Sequence, residues 1–290
     1  MSRFRQISRI AVLGLASVSG AVVLCNNVHK PVLAKPVDYY ENDRDFRTRL
    51  SMLFRPNFQQ WDDNWDMCEK PRDKSKKNHG KSIEDCIDNE PEIKPTAKRH
   101  LIFIRHAQYK DNEELDERRI LTELGRIQAD ITGERLNHLD KVKPFTKIIV
   151  SDLVRAKETA EIIFKHLPDV PRETCSLLRE GAPIPPDPPS SNWRPEKKKF
   201  FQDSARIEAA FRKHVHRADV MQSGDTIEVY ICHANVIRYF VCRALQFPPE
   251  GWLRMSIGHC GITTMTIRPN GRVSLHSLGD TGHLPPDKIT

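Results

Sequence analysis

Three short β-rich runs, HLIFI at 100–104, TKIIV at 146–150 and IEVYICH at 227–233, each precede a helical pattern. This alternation constrains the fold more than anything else in the chain. Behind the first run, Thr122 can cap a helix carrying Leu124, Ile127 and Ile131. Behind the second, Leu153, Ala156, Ala160, Ile163 and Leu167 recur at the spacing that puts one apolar stripe on one helix face. Behind the third come Val236, Ile237, Phe240, Val241, Ala244 and Leu245. A fourth helix, DSARIEAAFRKHVHRA, carries Ile207, Phe211, Val215 and Ala218 for packing, and its His214 and His216 are expected at the surface. ITTMTI, Pro269-Asn270-Gly271 and RVSLH read as a hairpin. Strands alternating with helices predict an α/β fold of three layers, a mostly parallel central sheet covered on both faces. In such sheets ligands bind beyond the carboxyl ends of the strands.

Those ends carry unusual residues for a buried sheet. The first run finishes at Arg105-His106, the second leads into SDLVRAKET with Arg155, and the third stops at His233. Between them, LLREGAP supplies Glu180. Two arginines form a planar, multidentate cradle for a phosphoryl group. A histidine beside them is driven toward its neutral, nucleophilic form, because nearby cations oppose its protonation. A second histidine can donate to phosphoryl oxygens as charge develops.

Around this region the chain is less ordered in pattern. Arg3, Arg5 and Arg9 precede an uncharged stretch, Ile10–Cys25, diluted by Gly14, Ser17, Ser19 and Gly20. It is shorter than the ~20 apolar residues of a relaxed membrane span. A cleaved secretory signal, a core helix and a short membrane anchor all fit it. The seven cysteines are odd in number and lack any C-x-x-C spacing, which argues against a disulfide framework or a zinc site and for a reducing compartment. That favours the anchor. The net charge of +7 concentrates at the N-terminus, in 69–81 and in 196–199, without a nucleic-acid-binding motif, so no nucleic-acid partner is expected. Most of 67–98 reads as polar linker, yet FQQWDDNWD at 58–66 holds two of the four tryptophans. On a helix Trp61 and Trp65 would share a face, to dock on the chain's own domain or on a partner. The proline-rich run 183–195 is either a surface loop or a wall of the pocket that selects a peptide.

LIFIRHAQY, SDLVRAKET, LLREGAPIPPDPP and ICHANVIRY together resemble the histidine phosphatase superfamily and its phosphoglycerate mutase-like fold. REGAPIPPDPPSSNW, CRALQFPPEGWLR, LGDTGHLPPDKIT and WDDNWD resemble, more narrowly, the mitochondrial serine/threonine-protein phosphatases of the phosphoglycerate mutase family. The resemblance implies a catalytic domain over 98–290, a linker over 31–97 and an anchor or targeting segment over 1–30. It implies that His106 becomes phosphohistidine, that Arg105, Arg155 and His233 hold the phosphoryl group, and that Glu180 is the proton donor. It implies a cofactor-free and metal-independent hydrolysis of phosphoserine and phosphothreonine in proteins, a stress-activated kinase among the candidate substrates, in kinase signalling or mitochondrial quality control. It places the chain in the mitochondrial outer membrane, with the inner membrane as the alternative, through a single-pass transmembrane helix. It implies a homo-oligomer built through Trp61, Asp62, Asn64, Trp65 and Asp66. Ala107 stands where many superfamily members have glycine. A small-molecule phosphomutase or phosphatase and a non-catalytic mitochondrial scaffold are the rival readings.

Overall fold

The computed structural model describes residues 60–68, 94–191 and 193–290, all within one compact unit, Gln60–Thr290. The expected anchor, the signal-peptide alternative and most of the linker lie outside the described residues. Among the described residues, no helix is long and apolar enough to cross a membrane.

Six strands form one sheet: β1 (Arg99–Arg105), β2 (Lys147–Ser151), β3 (Arg172–Cys175), β4 (Thr226–Cys232), β5 (Ile262–Ile267) and β6 (Val273–Asp280), in the order β3-β2-β4-β1-β5-β6. Strands β3, β2, β4 and β1 run parallel, and β5 joins β1 antiparallel before turning back into β6. Register matters for function. Arg105 pairs with Cys232, and Val150 with Ile231, so β1, β2 and β4 end together on one edge. The expected strands are present, and so is the hairpin, whose Gly271 adopts φ +81°.

Among the described residues, four α-helices cover the sheet: α1 (Glu123–Val142), α2 (Val154–Phe164), α3 (Lys197–His214) and α4 (Ala234–Ala244). Alternation along β1 divides the core. Leu101 and Phe103 face Ile207, Phe211, Ile237 and Phe240 of α3 and α4, whereas Ile102 and Ile104 face Leu136, Ala156, Ala160 and Ile163 of α1 and α2. Both faces are therefore apolar, as a doubly covered parallel sheet requires.

Two helices depart from the sequence expectation. On α1, Ile127 is 44% exposed, while Gly125, Gln128, Ala129 and Thr132 are buried. The reason is a close approach. A Cβ at Gly125 would stand 1.9 Å from the Gln108 carbonyl oxygen, and Gln128 reaches the Gln108 amide with Oε1 at 2.9 Å. Small and polar side chains thus set the rotation of α1 against the loop behind His106. On α3, His214 is buried at 4% exposure, its Nε2 3.4 Å from Cys175 Sγ and its ring on edge to Tyr230. Burial, with Lys213 adding to it, lowers its pKa to about 4, so it packs as a neutral ring. His216, also expected at the surface, is half-buried and donates from Nδ1 to the Arg217 carbonyl at 2.6 Å.

The tryptophan motif is a turn over 63–66, so Trp61 and Trp65 do not share a helical face. Trp61 is 37% exposed and Trp65 only 8%. Trp65 lies against Phe211 and donates from Nε1 to the Gly271 carbonyl at 2.7 Å. Asp66 meets Arg217 at 2.6 Å in a buried ion pair.

Candidate active site

The chain leaves β1 at Arg105 and turns, so that His106, only 2% exposed, stands at the sheet's edge. Its ring nitrogens are distinguishable. Nδ1 lies 2.9 Å from the Ala107 carbonyl oxygen, which can only accept, so Nδ1 carries the proton. In the neutral ring Nε2 then keeps its lone pair, and Arg155 Nε donates to it at 3.3 Å. Burial holds the His106 pKa well below the ordinary value, and His233, Arg155 and Arg105 push it the same way. The result is a neutral imidazole whose Nε2 lone pair accepts from the Arg155 guanidinium.

Arg155 comes from the first turn of α2 and is 4% exposed. Asp116 orients it, accepting from Arg155 Nη1 at 3.0 Å and from the Val154 amide at 3.1 Å. Thr159 Oγ1 accepts from the Ala107 amide at 3.0 Å and donates to the Arg155 carbonyl at 2.7 Å, tying the strand end to α2. Ala107 is fully buried in this contact, so the methyl group at a position where glycine is common is accommodated. Tyr109 sets its ring on edge to His106, centroids 5.0 Å apart, and the Arg155 guanidinium carbon is 5.0 Å from the Tyr109 ring.

Arg105 donates from Nη1 to the Ile257 carbonyl at 2.6 Å and from Nη2 to His259 Nε2 at 3.1 Å. His259 accepts there because burial and Arg105 lower its pKa to about 4. His233, the residue before α4, is completely buried, with its ring centroid 5.1 Å from that of His106. Its Nε2 pairs with Ser151 Oγ at 2.8 Å, at the end of β2. Burial and the three arginines Arg155, Arg206 and Arg105 hold its pKa well below the usual value.

Glu180 occupies the loop between β3 and α3. Its Oε1 accepts from the Gly181 amide at 3.1 Å and Oε2 from the Asn235 amide at 3.5 Å. Burial of the carboxyl raises its pKa, and those amides and Arg155 oppose the rise without cancelling it. A carboxyl whose pKa is raised holds its proton to higher pH, which suits it to proton donation.

Among the described residues, four buried side-chain nitrogens have no hydrogen-bond partner, His283 Nδ1 and, in this region, Arg105 Nε, His233 Nδ1 and Arg238 Nε. Orphaned buried donors are costly, at about 1–3 kcal/mol each, and a phosphoryl oxygen is the acceptor that guanidinium and imidazole nitrogens suit. No group of three or more metal-ligating side chains occurs among the described residues.

All five expected residues, Arg105, His106, Arg155, Glu180 and His233, therefore meet at one edge of the sheet. Asp116, Tyr109, Ser151, Asn235, Arg238 and His259 join them without having been singled out in the sequence. Ser151 is the last residue of β2, and that position was its available signal. Asp116 reaches Arg155 across 39 positions and His259 reaches Arg105 across 154, with no local pattern to mark them.

Comparison with known proteins agrees with this geometry. The sequence model of the histidine phosphatase superfamily (branch 1) matches residues 101–182 and 186–281. The chain is 48% identical over 293 residues to a rat protein named serine/threonine-protein phosphatase PGAM5, mitochondrial, covering 99% of each chain. It is 50% identical over 291 residues to the mouse protein of the same name, again covering 99% of each. Among solved structures, a phosphoglycerate mutase from Plasmodium falciparum is 34% identical, with a TM-score of 0.48, covering 67% of this chain and 99% of that one.

Proposed function

The chain belongs to the histidine phosphatase superfamily, branch 1, and from that premise we propose that it hydrolyses phosphoserine and phosphothreonine in proteins through a phosphohistidine at His106. The observation that carries this reading is the state of His106: Nδ1 donates to the Ala107 carbonyl, the ring is neutral, and Nε2 keeps the lone pair that attacks once substrate displaces its long hydrogen bond from Arg155 Nε.

In the first step His106 Nε2 attacks phosphorus, an N–P bond forms and the P–O bond to serine breaks. A serine alkoxide is a poor leaving group, so Glu180 gives it a proton. Arg105, Arg155 and His233 hold the phosphoryl oxygens. Donation from His233 Nδ1 requires the tautomer in which Ser151 donates to Nε2. In the second step the Glu180 carboxylate takes a proton from water, whose oxygen attacks phosphorus and releases phosphate and neutral His106. The arginines supply the positive charge for both steps, and no metal enters this sequence.

The full assignment has a catalytic domain over 98–290, a linker over 31–97 and a membrane anchor over 1–30. Curated relatives are named mitochondrial, which supports mitochondrial targeting and, in this reading, an outer-membrane anchor. Residues 1–30 fused to a fluorescent protein should reach mitochondria and resist carbonate extraction, and secretion of the fusion would favour a cleaved signal instead. The motif residues Trp61, Asp62, Asn64, Trp65 and Asp66 are assigned to self-assembly, because the pocket that Trp65 fills could equally be filled by a neighbour's segment. Kinase signalling and mitochondrial quality control are the settings this activity suits.

The direct test is to trap the intermediate. Brief acid-free quenching of the enzyme with a phosphoserine peptide should give a phosphorylated peptide containing His106 by mass spectrometry. Peptide turnover with phosphate found on no histidine would overturn the mechanism.

A further inference from the structure

Glu180 lies on an irregular loop, and a loop alone aims a proton poorly. What fixes it is α3. The Arg206 guanidinium donates to the Leu177 carbonyl at 2.9 Å, to the Arg179 carbonyl, and from Nη2 to the Glu180 carbonyl at 3.1 Å. Its Nη2 also meets Asp203 Oδ1 at 2.9 Å. The other Asp203 oxygen, Oδ2, accepts from the Ala182 amide at 2.9 Å. One turn of α3 thus grips the backbone on both sides of Glu180.

Two neighbours complete the hold. Asn235 Nδ2 of α4 donates to the Gly181 carbonyl at 3.0 Å. A Cβ at Gly181 would stand 2.6 Å from Arg206 Nη2 and 2.6 Å from Asp203 Cγ, so a side chain there would push this pair aside. An exposed Asp–Arg pair contributes little to stability. This pair differs because it is partly buried, at 17% and 22% side-chain exposure, and its spare bonds go to backbone groups of the loop.

We propose that Asp203 and Arg206 are positioning residues for the proton donor, holding the 177–182 loop so that the Glu180 carboxyl faces the leaving-group oxygen. This rests on the reading of Glu180 as general acid. Neither residue touches substrate in this proposal; both act through the loop. Loosening the clamp displaces the carboxyl and opens it to water, which also removes the burial that raises its pKa.

The test compares a phosphoserine peptide, whose leaving group needs a proton, with an aryl phosphate, whose leaving group scarcely does. The full chain is assayed as wild type, Glu180→Gln, Arg206→Leu, Arg206→Lys and Asp203→Asn, with Glu180→Gln/Arg206→Leu as the double variant. Arg206→Leu should lower kcat on the peptide by roughly tenfold to a hundredfold and leave the aryl phosphate within about twofold. The alkaline limb of its peptide pH profile should move to lower pH. Lysine, which cannot fork to several carbonyls, should restore only part of the rate. The double variant should be no slower on the peptide than Glu180→Gln alone.

If Glu180→Gln is selective for the peptide but Arg206→Leu and Asp203→Asn slow both substrates equally or neither, the clamp is wrong and the acid assignment survives. If Glu180→Gln slows both substrates equally, the acid assignment falls and the clamp with it. Should circular dichroism show Arg206→Leu unfolded, Asp203→Asn, of the same shape, decides by the same comparison.

Discussion

At the scale of single residues, burial moves the two proposed reacting groups in opposite directions, His106 toward its neutral form and Glu180 toward its protonated form. Burial and surrounding cations keep His106 neutral, and burial raises the pKa of the Glu180 carboxyl against the pull of its neighbours. Replacing His106 with alanine should reduce phosphopeptide turnover by several orders of magnitude while leaving circular dichroism unchanged, because covalent catalysis is lost and the core is not. Near-native turnover by a folded variant would remove His106 from the mechanism. The same burial has a cost in acid. His106, His214 and His233 all have folded pKa values below the ordinary 6.5, so the unfolded chain binds the extra protons. Stability from this source is complete above about pH 6.5 and is lost as pH falls; for His214 the window runs from there to about 4. Thermal melts should therefore fall between pH 7 and 5 and do so less steeply in His214→Leu. Equal slopes would mean that His214 protonates without opposing the fold. The proposed site residues at the strand ends were legible in the sequence, since an apolar run that stops on Arg105-His106 or on His233 has a definite place in a parallel sheet. Asp116, Asp203 and Arg206 were not, since each gains its role only when a distant loop arrives beside it.

At the scale of elements, five of the six strands and the apolar stripes of α2, α3 and α4 follow from periodicity, whereas α1 and the edge strand β3, three of whose four residues are exposed, do not. The apolar residues of α1 suggested one rotation and its contact with the loop after His106 imposed another. Gly125 marks the conflict. Alanine is the better helix former by about 1 kcal/mol, yet its Cβ would collide with the rigid Gln108 backbone. Overpacking of this kind costs about 1–3 kcal/mol, so the collision should win. Gly125→Ala is expected to lower the melting temperature and to reduce turnover as well, because Gln108 follows the His106-Ala107 segment that carries the proposed nucleophile. A stabilised variant with full activity would show that the loop yields without consequence.

At the scale of the whole molecule, α3 receives the tryptophan segment at its C-terminal end and grips the Glu180 loop from its middle. Phe211 stacks near Trp65, Arg212 donates to the Trp65 carbonyl at 2.9 Å, and Asp203 with Arg206 lies about two turns earlier. Seating of the segment therefore bears on the element that positions the acid. The two tryptophans should not be equivalent: Trp65 at 8% exposure fills a pocket and bonds to Gly271, while Trp61 at 37% covers less. Asp66 adds a buried charge pair with Arg217, and removing one member of such a pair is costly, at about 3–5 kcal/mol. Trp65→Ala should accordingly weaken segment docking more than Trp61→Ala does. The double variant should give smaller particles by light scattering and slower peptide turnover, with the site residues untouched. If the effect travels through α3, its signature should match that of Arg206→Leu, a loss on phosphoserine peptide larger than on aryl phosphate. A free peptide carrying the wild-type 58–68 sequence should then restore part of the rate. Should the double variant keep both its size and its leaving-group profile, the segment contributes contact area alone, and neither assembly nor catalysis depends on it.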